Sequence, residues 1–167
     1  IYDMMAAFYV ACSTFIGQNY GAGKKKRILK SYLISMAYAF LFAAVAGILL
    51  LFFGRYFLLL FTDKEPVIAA GMKRLEIMAG SYCVSAGMDC TIAASRGLGK
   101  TGVPTVIVIL GSCVFRIAWI YTVFAYFHTI PSLYLLYVFS WAITALFEII
   151  YFIYTYKNLL RDLPVQS

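Results

Sequence analysis

Charged residues punctuate this chain only at wide intervals, and long apolar runs lie between them. The first run, 1–20, carries a single charge, Asp3, and reads as a membrane-spanning helix. The stretch Gly21–Lys30 follows as a loop. Ser31–Phe53 holds no charge at all; its 23 residues give roughly 35 Å of helix, enough for a hydrocarbon core of about 30 Å. Gly54 and Arg55 interrupt the pattern, and Tyr56–Phe61 is too short to span, which predicts an interfacial segment. A third span is expected over 75–95. Pro104 then opens a fourth, 104–127, where proline suits a first helical turn. A turn at His128–Pro131 leads to a fifth span, 132–156, and a polar tail, 157–167. The pattern predicts an all-α, polytopic membrane helix bundle.

Composition narrows this further. Of 167 residues, 63% are hydrophobic and 13% charged, against about a quarter charged in a soluble domain. Mean hydropathy is +0.86. So few charges cannot cover the surface of a soluble enzyme of this size. The chain begins at Ile1 inside an apolar run, with no charged leader, and reads as a C-terminal piece of something longer. Cys12, Cys83, Cys90 and Cys113 all lie within apolar runs without a C-x-x-C pair, which predicts packing residues.

The net charge of +7 is unevenly placed. Loops Gly21–Lys30 and Arg96–Val103 and the tail carry nine Lys and Arg; the other side carries four, among three acids. The positive-inside rule therefore places those loops and the C-terminus in the cytoplasm of a cell-membrane protein, with 128–131 outside. The charge reports orientation, not nucleic-acid binding.

Chemistry-bearing residues are few. Gly99-Lys100-Thr101 matches the end of a phosphate-binding loop. Its first glycine is replaced by Ala94, and apolar helices flank it instead of a buried strand. A tight hairpin is the better reading. The intramembrane ionisable groups are sharper signals, because charge at membrane depth is costly and faces a cavity or a partner. Counted from the cytoplasmic ends, Asp89 lies roughly 10 Å deep, Glu148 roughly 13 Å and Arg116 roughly 18 Å. These depths allow Arg116 to meet Glu148 as a buried ion pair, and make Asp89 and Glu148 candidates for binding a coupling ion or substrate. Gly80, Ser81, Ser85, Ala86 and Gly87 predict close helix packing.

Phe15-Ile16-Gly17-Gln18-Asn19-Tyr20-Gly21-Ala22-Gly23 with Arg27, and Ala94-Ser95-Arg96-Gly97-Leu98-Gly99-Lys100-Thr101 with Pro104, resemble two signatures of multidrug and toxic compound extrusion (MATE) transporters. They stand about 80 residues apart with two spans between, and Arg116 and Trp119 fit the pattern of bacterial members. The resemblance implies helices eight to twelve of a twelve-helix protein, most of its C-terminal six-helix lobe. It implies export of drugs or organic cations by alternating access, coupled to sodium or protons. No other cofactor, no enzyme activity and no metal site are implied. The expected partners are the bilayer, a lipophilic or cationic substrate and the N-terminal lobe, where several of the family's coupling carboxylates lie. Some members use an acid in the tenth helix, the helix that holds Asp89. Gly17, Gln18, Gly21, Arg96, Gly97, Gly99 and Pro104 would be motif and helix-end packing residues. A flippase for lipid-linked sugars shares the helix plan but calls for a wider basic cavity. A membrane-embedded enzyme or interaction protein is the remaining alternative.

Overall fold

Inside a bilayer an apolar segment must satisfy its own backbone, so each long run folds as a helix. A computed structural model describes residues 2–127 and 130–162. Among these, all regular structure is helical: α1 (Tyr2–Gly21), α2 (Lys25–Leu59), α3 (Glu65–Gly97), α4 (102–127) and α5 (Ile130–Asp162). Among the described residues, three helices are long and apolar enough to cross a membrane, over Lys25–Leu59, Gly102–Phe124 and Tyr134–Leu159.

Several helix ends differ from the sequence reading. The basic stretch is mostly helix: only 22–24 separate α1 from α2, and Gly23 makes the reversal at φ 69°. Lysine and arginine are good helix formers, so the charges ride on the first turns of α2 instead of looping out. Likewise Gly54-Arg55 does not break α2, and the expected interfacial segment continues the helix to Leu59. Gly54 instead admits a neighbour: a Cβ there would come within 2.7 Å of Leu75 Cδ1. Arg55 reaches across to Glu65 at 2.6 Å, tying the end of α2 to the start of α3. Helix α3 begins a full ten residues before the expected span, with Pro66 in its first turn. It runs through Gly97, so only 98–101 remain as loop, and Gly99 turns the chain at φ 75°. The expected turn at 128–131 falls partly on residues 128 and 129, outside those described; Pro131 already belongs to α5. The expected tail is helical to Asp162, and 163–167 lie outside the described residues.

Helix α4 alternates between α- and π-helical hydrogen bonding, with π stretches at Ile109–Val114 and Ile120–Phe124. Nothing in the apolar pattern signals this. Wide turns of this kind recur at functional positions in helices.

The core follows helical spacing. Met5, Tyr9, Cys12 and Ile16 form one stripe of α1; it meets Ile28, Tyr32, Ala39 and Ala43 of α2, and Ala86, Cys90 and Ala94 of α3. The Cys12 and Cys90 sulfurs lie 3.7 Å apart as free thiols, packed as expected. Helix α3 sits centrally, against α1, α2 and α5, whereas α4 packs chiefly on α5. Tyr32 joins three helices, bonding Thr91 at 2.9 Å and stacking near Phe152. The outward faces are the reverse of a soluble surface: Leu41, Phe52, Ile117 and Tyr121 are exposed. Such extensive apolar exposure marks a membrane-facing surface.

Candidate functional site

The polar residues of α3 divide between two faces. On one, Ser85, Asp89 and Arg96 fall at positions i, i+4 and i+11, which a helix aligns along one side. Ser85 donates its hydroxyl to Asp89 Oδ2 at 3.0 Å, and the carboxylate is half-buried. Arg96 is exposed and lines a concavity of about 260 Å³ with Tyr9, Ser13 and Thr14 of α1. The groove beside α1 thus holds a guanidinium and the hydroxyls of Ser13 and Thr14, and the Ser85–Asp89 pair lies further along the same side of α3, outside its lining.

The other face of α3 meets α5. Met88 and Ile92 pack with Ala145, and Trp141 and Val108 close around them. One turn beyond Ala145, Glu148 is wholly buried, and neither carboxylate oxygen has a hydrogen-bond partner. One turn beyond Ile92, Ser95 is equally buried, and its Oγ is also unpartnered. Taking an isolated charge out of water costs several kcal/mol even after relaxation. The enclosure leaves the Glu148 carboxyl with no hydrogen bond to offset that cost.

Arg116 does not pair with Glu148. Its Nε donates to Ser140 Oγ at 3.2 Å, and its guanidinium carbon lies 4.6 Å from the centre of the Tyr137 ring. Ser140 in turn donates to the Gly111 carbonyl at 2.8 Å. The antiparallel register of α4 and α5 explains the difference. It places Gly111 against Ser140 and Thr144, and Arg116 further outward against Tyr137. Ser140 precedes Glu148 by two turns, about 12 Å along the axis. Depth alone suggested a contact; the register sends the arginine the other way. Arg55 and Glu65, both exposed, do form an ion pair.

The glycine motifs separate into distinct uses. At Gly97 a Cβ would fall 2.6 Å from the Ser13 carbonyl oxygen and 3.0 Å from Ile16 Cβ. At Gly17 it would fall 3.3 Å from the Gly97 oxygen. These two glycines bring the ends of α1 and α3 together. Gly99 supplies the left-handed turn, and Pro104 is wholly buried at the start of α4. Gly21 differs from expectation: it is exposed, with nothing near its Cβ position. Nothing lies near the Cβ position of Gly80 or Gly87 on α3 either, and Ser81, Ser85 and Ala86 make the close packing instead. Gln18 is exposed on α1. Sequence reasoning missed Tyr137 and Ser140 as partners of Arg116, and Ser95 as the neighbour in level of Glu148. Small hydroxyls in apolar helices were the available signal. Among the described residues no cluster of His, Cys, Asp or Glu could hold a metal ion.

Comparison with known proteins agrees with this geometry. The MatE family model matches residues 1–122. A solved structure, "Inward-facing conformation of a multidrug resistance MATE family transporter of the MOP superfamily", is similar with a TM-score of 0.82 at 16% identity. The match covers 93% of this chain and 36% of that one, so this chain spans about a third of its length. No curated protein matches the chain.

Proposed function

The chain belongs to the MatE family, the transporter family its motifs resemble, and from that premise we propose that it forms most of one six-helix lobe of an exporter. The family consists of multi-pass membrane transporters, not enzymes. In this reading the full protein carries drugs or organic cations outward, and sodium or protons return in exchange. The lobe works with an N-terminal lobe of the same protein in the cell membrane. Loops at 22–24 and 98–101 and the C-terminus face the cytoplasm.

The observation that carries the reading is the half-buried Asp89 carboxylate within α3, held by Ser85. A half-buried carboxylate held by a neighbouring hydroxyl changes its affinity for a cation when it takes up a proton or an ion. Substrate and coupling ion then compete for the same negative charge. Loading one and releasing the other biases two rigid bundles between inward and outward openings. Glu148 contributes in a second way, as an acid enclosed between α3 and α5, where charge is admitted only with a counter-ion. The lipophilic walls around both groups suit substrates that are cationic and apolar together.

Vesicles containing the full-length protein test this under imposed sodium or proton gradients. Asp89→Asn should keep expression and folding near wild type and reduce gradient-driven export at least severalfold. Glu148→Gln should keep the shape of the enclosed side chain and also reduce gradient-driven export. Normal export by Asp89→Asn under both gradients would remove Asp89 from the mechanism. Normal export by Glu148→Gln would likewise remove Glu148 from it.

A further inference from the structure

A second groove lies apart from both carboxylates. It is a cavity of about 600 Å³ between the end of α1 and the start of α2. Two helical stripes form its walls, and both change character along their length. Deepest in the bundle are Phe15 of α1 and Ile34 of α2, each about half exposed. Next come Gln18, Asn19 and Ser31, and Asn19 donates to Ser31 Oγ at 3.3 Å, holding the walls together. At the mouth stand Lys24, Arg27 and Lys30. All three are exposed, and none has an ion pair among the described residues. No acid lines the groove. From Ile34 to Arg27 the character passes from apolar through amide to cationic in about 10 Å.

We propose that this groove binds an anionic phospholipid, with the phosphate at the cationic mouth and an acyl chain along Phe15 and Ile34. A guanidinium offers paired donors to phosphate oxygens, two ammonium groups add charge, and the Gln18 amide adds a further donor. An orientation signal needs only a surplus of basic residues in a loop. It does not need them gathered over a concave wall that grades into an apolar floor. That floor also distinguishes a lipid from free phosphate, which has nothing to place there. The assignment rests on the membrane topology proposed above, because the mouth must lie at the headgroup level of the cytoplasmic leaflet.

The test uses the full-length transporter in phosphatidylcholine nanodiscs, with and without phosphatidylglycerol. Retained lipid is counted by native mass spectrometry, and thermal stability is measured in parallel. Wild type should retain phosphatidylglycerol in preference to phosphatidylcholine and gain stability from it. Each basic residue near a membrane surface contributes about fivefold to anionic-lipid binding, so Lys24→Gln/Arg27→Gln/Lys30→Gln should lose about a hundredfold of that preference. A control with the same charge change away from the groove, Lys64→Gln/Lys73→Gln/Arg74→Gln, should lose far less of it, because those side chains line no part of the groove. Arg27→Gln alone guards against a folding failure and should lose about fivefold. Unchanged retention in the Arg27 variant or the triple variant overturns the proposal, as does equal loss in the control. Stabilisation by inorganic phosphate alone, to the same extent, also overturns it and assigns a phosphate site. Nanodiscs expose both faces, so an error in sidedness leaves these outcomes unaltered; external labelling, described below, reads sidedness by itself.

Discussion

Adding one methyl group at Gly97 should destabilise the lobe more than the same change at any other glycine of its two motifs. The new Cβ would sit 2.6 Å from the Ser13 carbonyl oxygen and 3.0 Å from Ile16 Cβ. The first of these is helix backbone, which cannot swing aside as the tip of a side chain could. The second is a β-branched stem, restricted at χ1. Relief requires α1 and α3 to separate at their ends, loosening Ile16 and the Cys12–Cys90 contact in the core. Overpacking of this kind costs about 1–3 kcal/mol, and Gly97→Val should lie at or above the upper end. Gly17→Ala meets only one atom, at 3.3 Å, and should cost less. Gly21→Ala meets nothing. It removes backbone freedom from the unfolded chain, so its effect should be neutral to about 1 kcal/mol stabilising. The assay is thermal unfolding of the full-length protein in detergent, followed by fluorescence-detected size exclusion. The expected midpoints fall in the order Gly21→Ala, Gly17→Ala, Gly97→Ala, Gly97→Val. Wild-type stability in Gly97→Ala, or equal losses at all three sites, would refute the steric argument.

The Arg116–Ser140 contact should show as a coupling of about 1 kcal/mol in a double-mutant cycle of Arg116→Ala and Ser140→Ala, measured by thermal stability. Arg116→Ala and Glu148→Gln should instead be additive; rescue of one by the other would restore the ion pair that the register excludes. Lys26→Cys, exposed on the first turn of α2, should resist an impermeant thiol reagent added outside intact cells. Labelling there would reverse the orientation deduced from the charge count.

The apolar pattern made the helices legible because a membrane leaves a long hydrophobic run no other solution. Their ends were less so. Gly54 reads as a breaker, yet it is a contact point; Lys24 to Lys30 read as loop, yet most of them are helix. In both places the same residue types serve two local structures, and the packing partner decides. The glycine pair Gly17 and Gly97 was readable as close approach, because both stand at the ends of apolar helices. Gly21 was not separable from them by sequence. Arg116 shows the limit most clearly: depth in the membrane follows from counting residues, but azimuth and register depend on which helix lies beside it. Ser95 and Ser140 carried too little signal of their own. Their meaning comes only from Glu148 and Arg116 on the facing helices.

The central position of α3 bears on how the lobe is assembled in the bilayer. Helices α2 and α4 are apolar enough to settle in lipid unaided, and most of α4 is left uncovered by its neighbours. Helix α3 differs, carrying Lys73, Arg74, Glu76, Asp89 and Arg96 together with buried hydroxyls at Ser81, Ser85, Thr91 and Ser95. Each ionisable residue near the middle of a span opposes membrane insertion by about 2.5–3.5 kcal/mol. During synthesis α1 and α2 emerge first and offer a protein surface for the polar side of α3. The wall made by α5 arrives last, and only then is Glu148 enclosed. Partitioning of α3 thus depends on its predecessors, so damage to the α1–α2 hairpin would surface first as misinsertion of a helix it never alters.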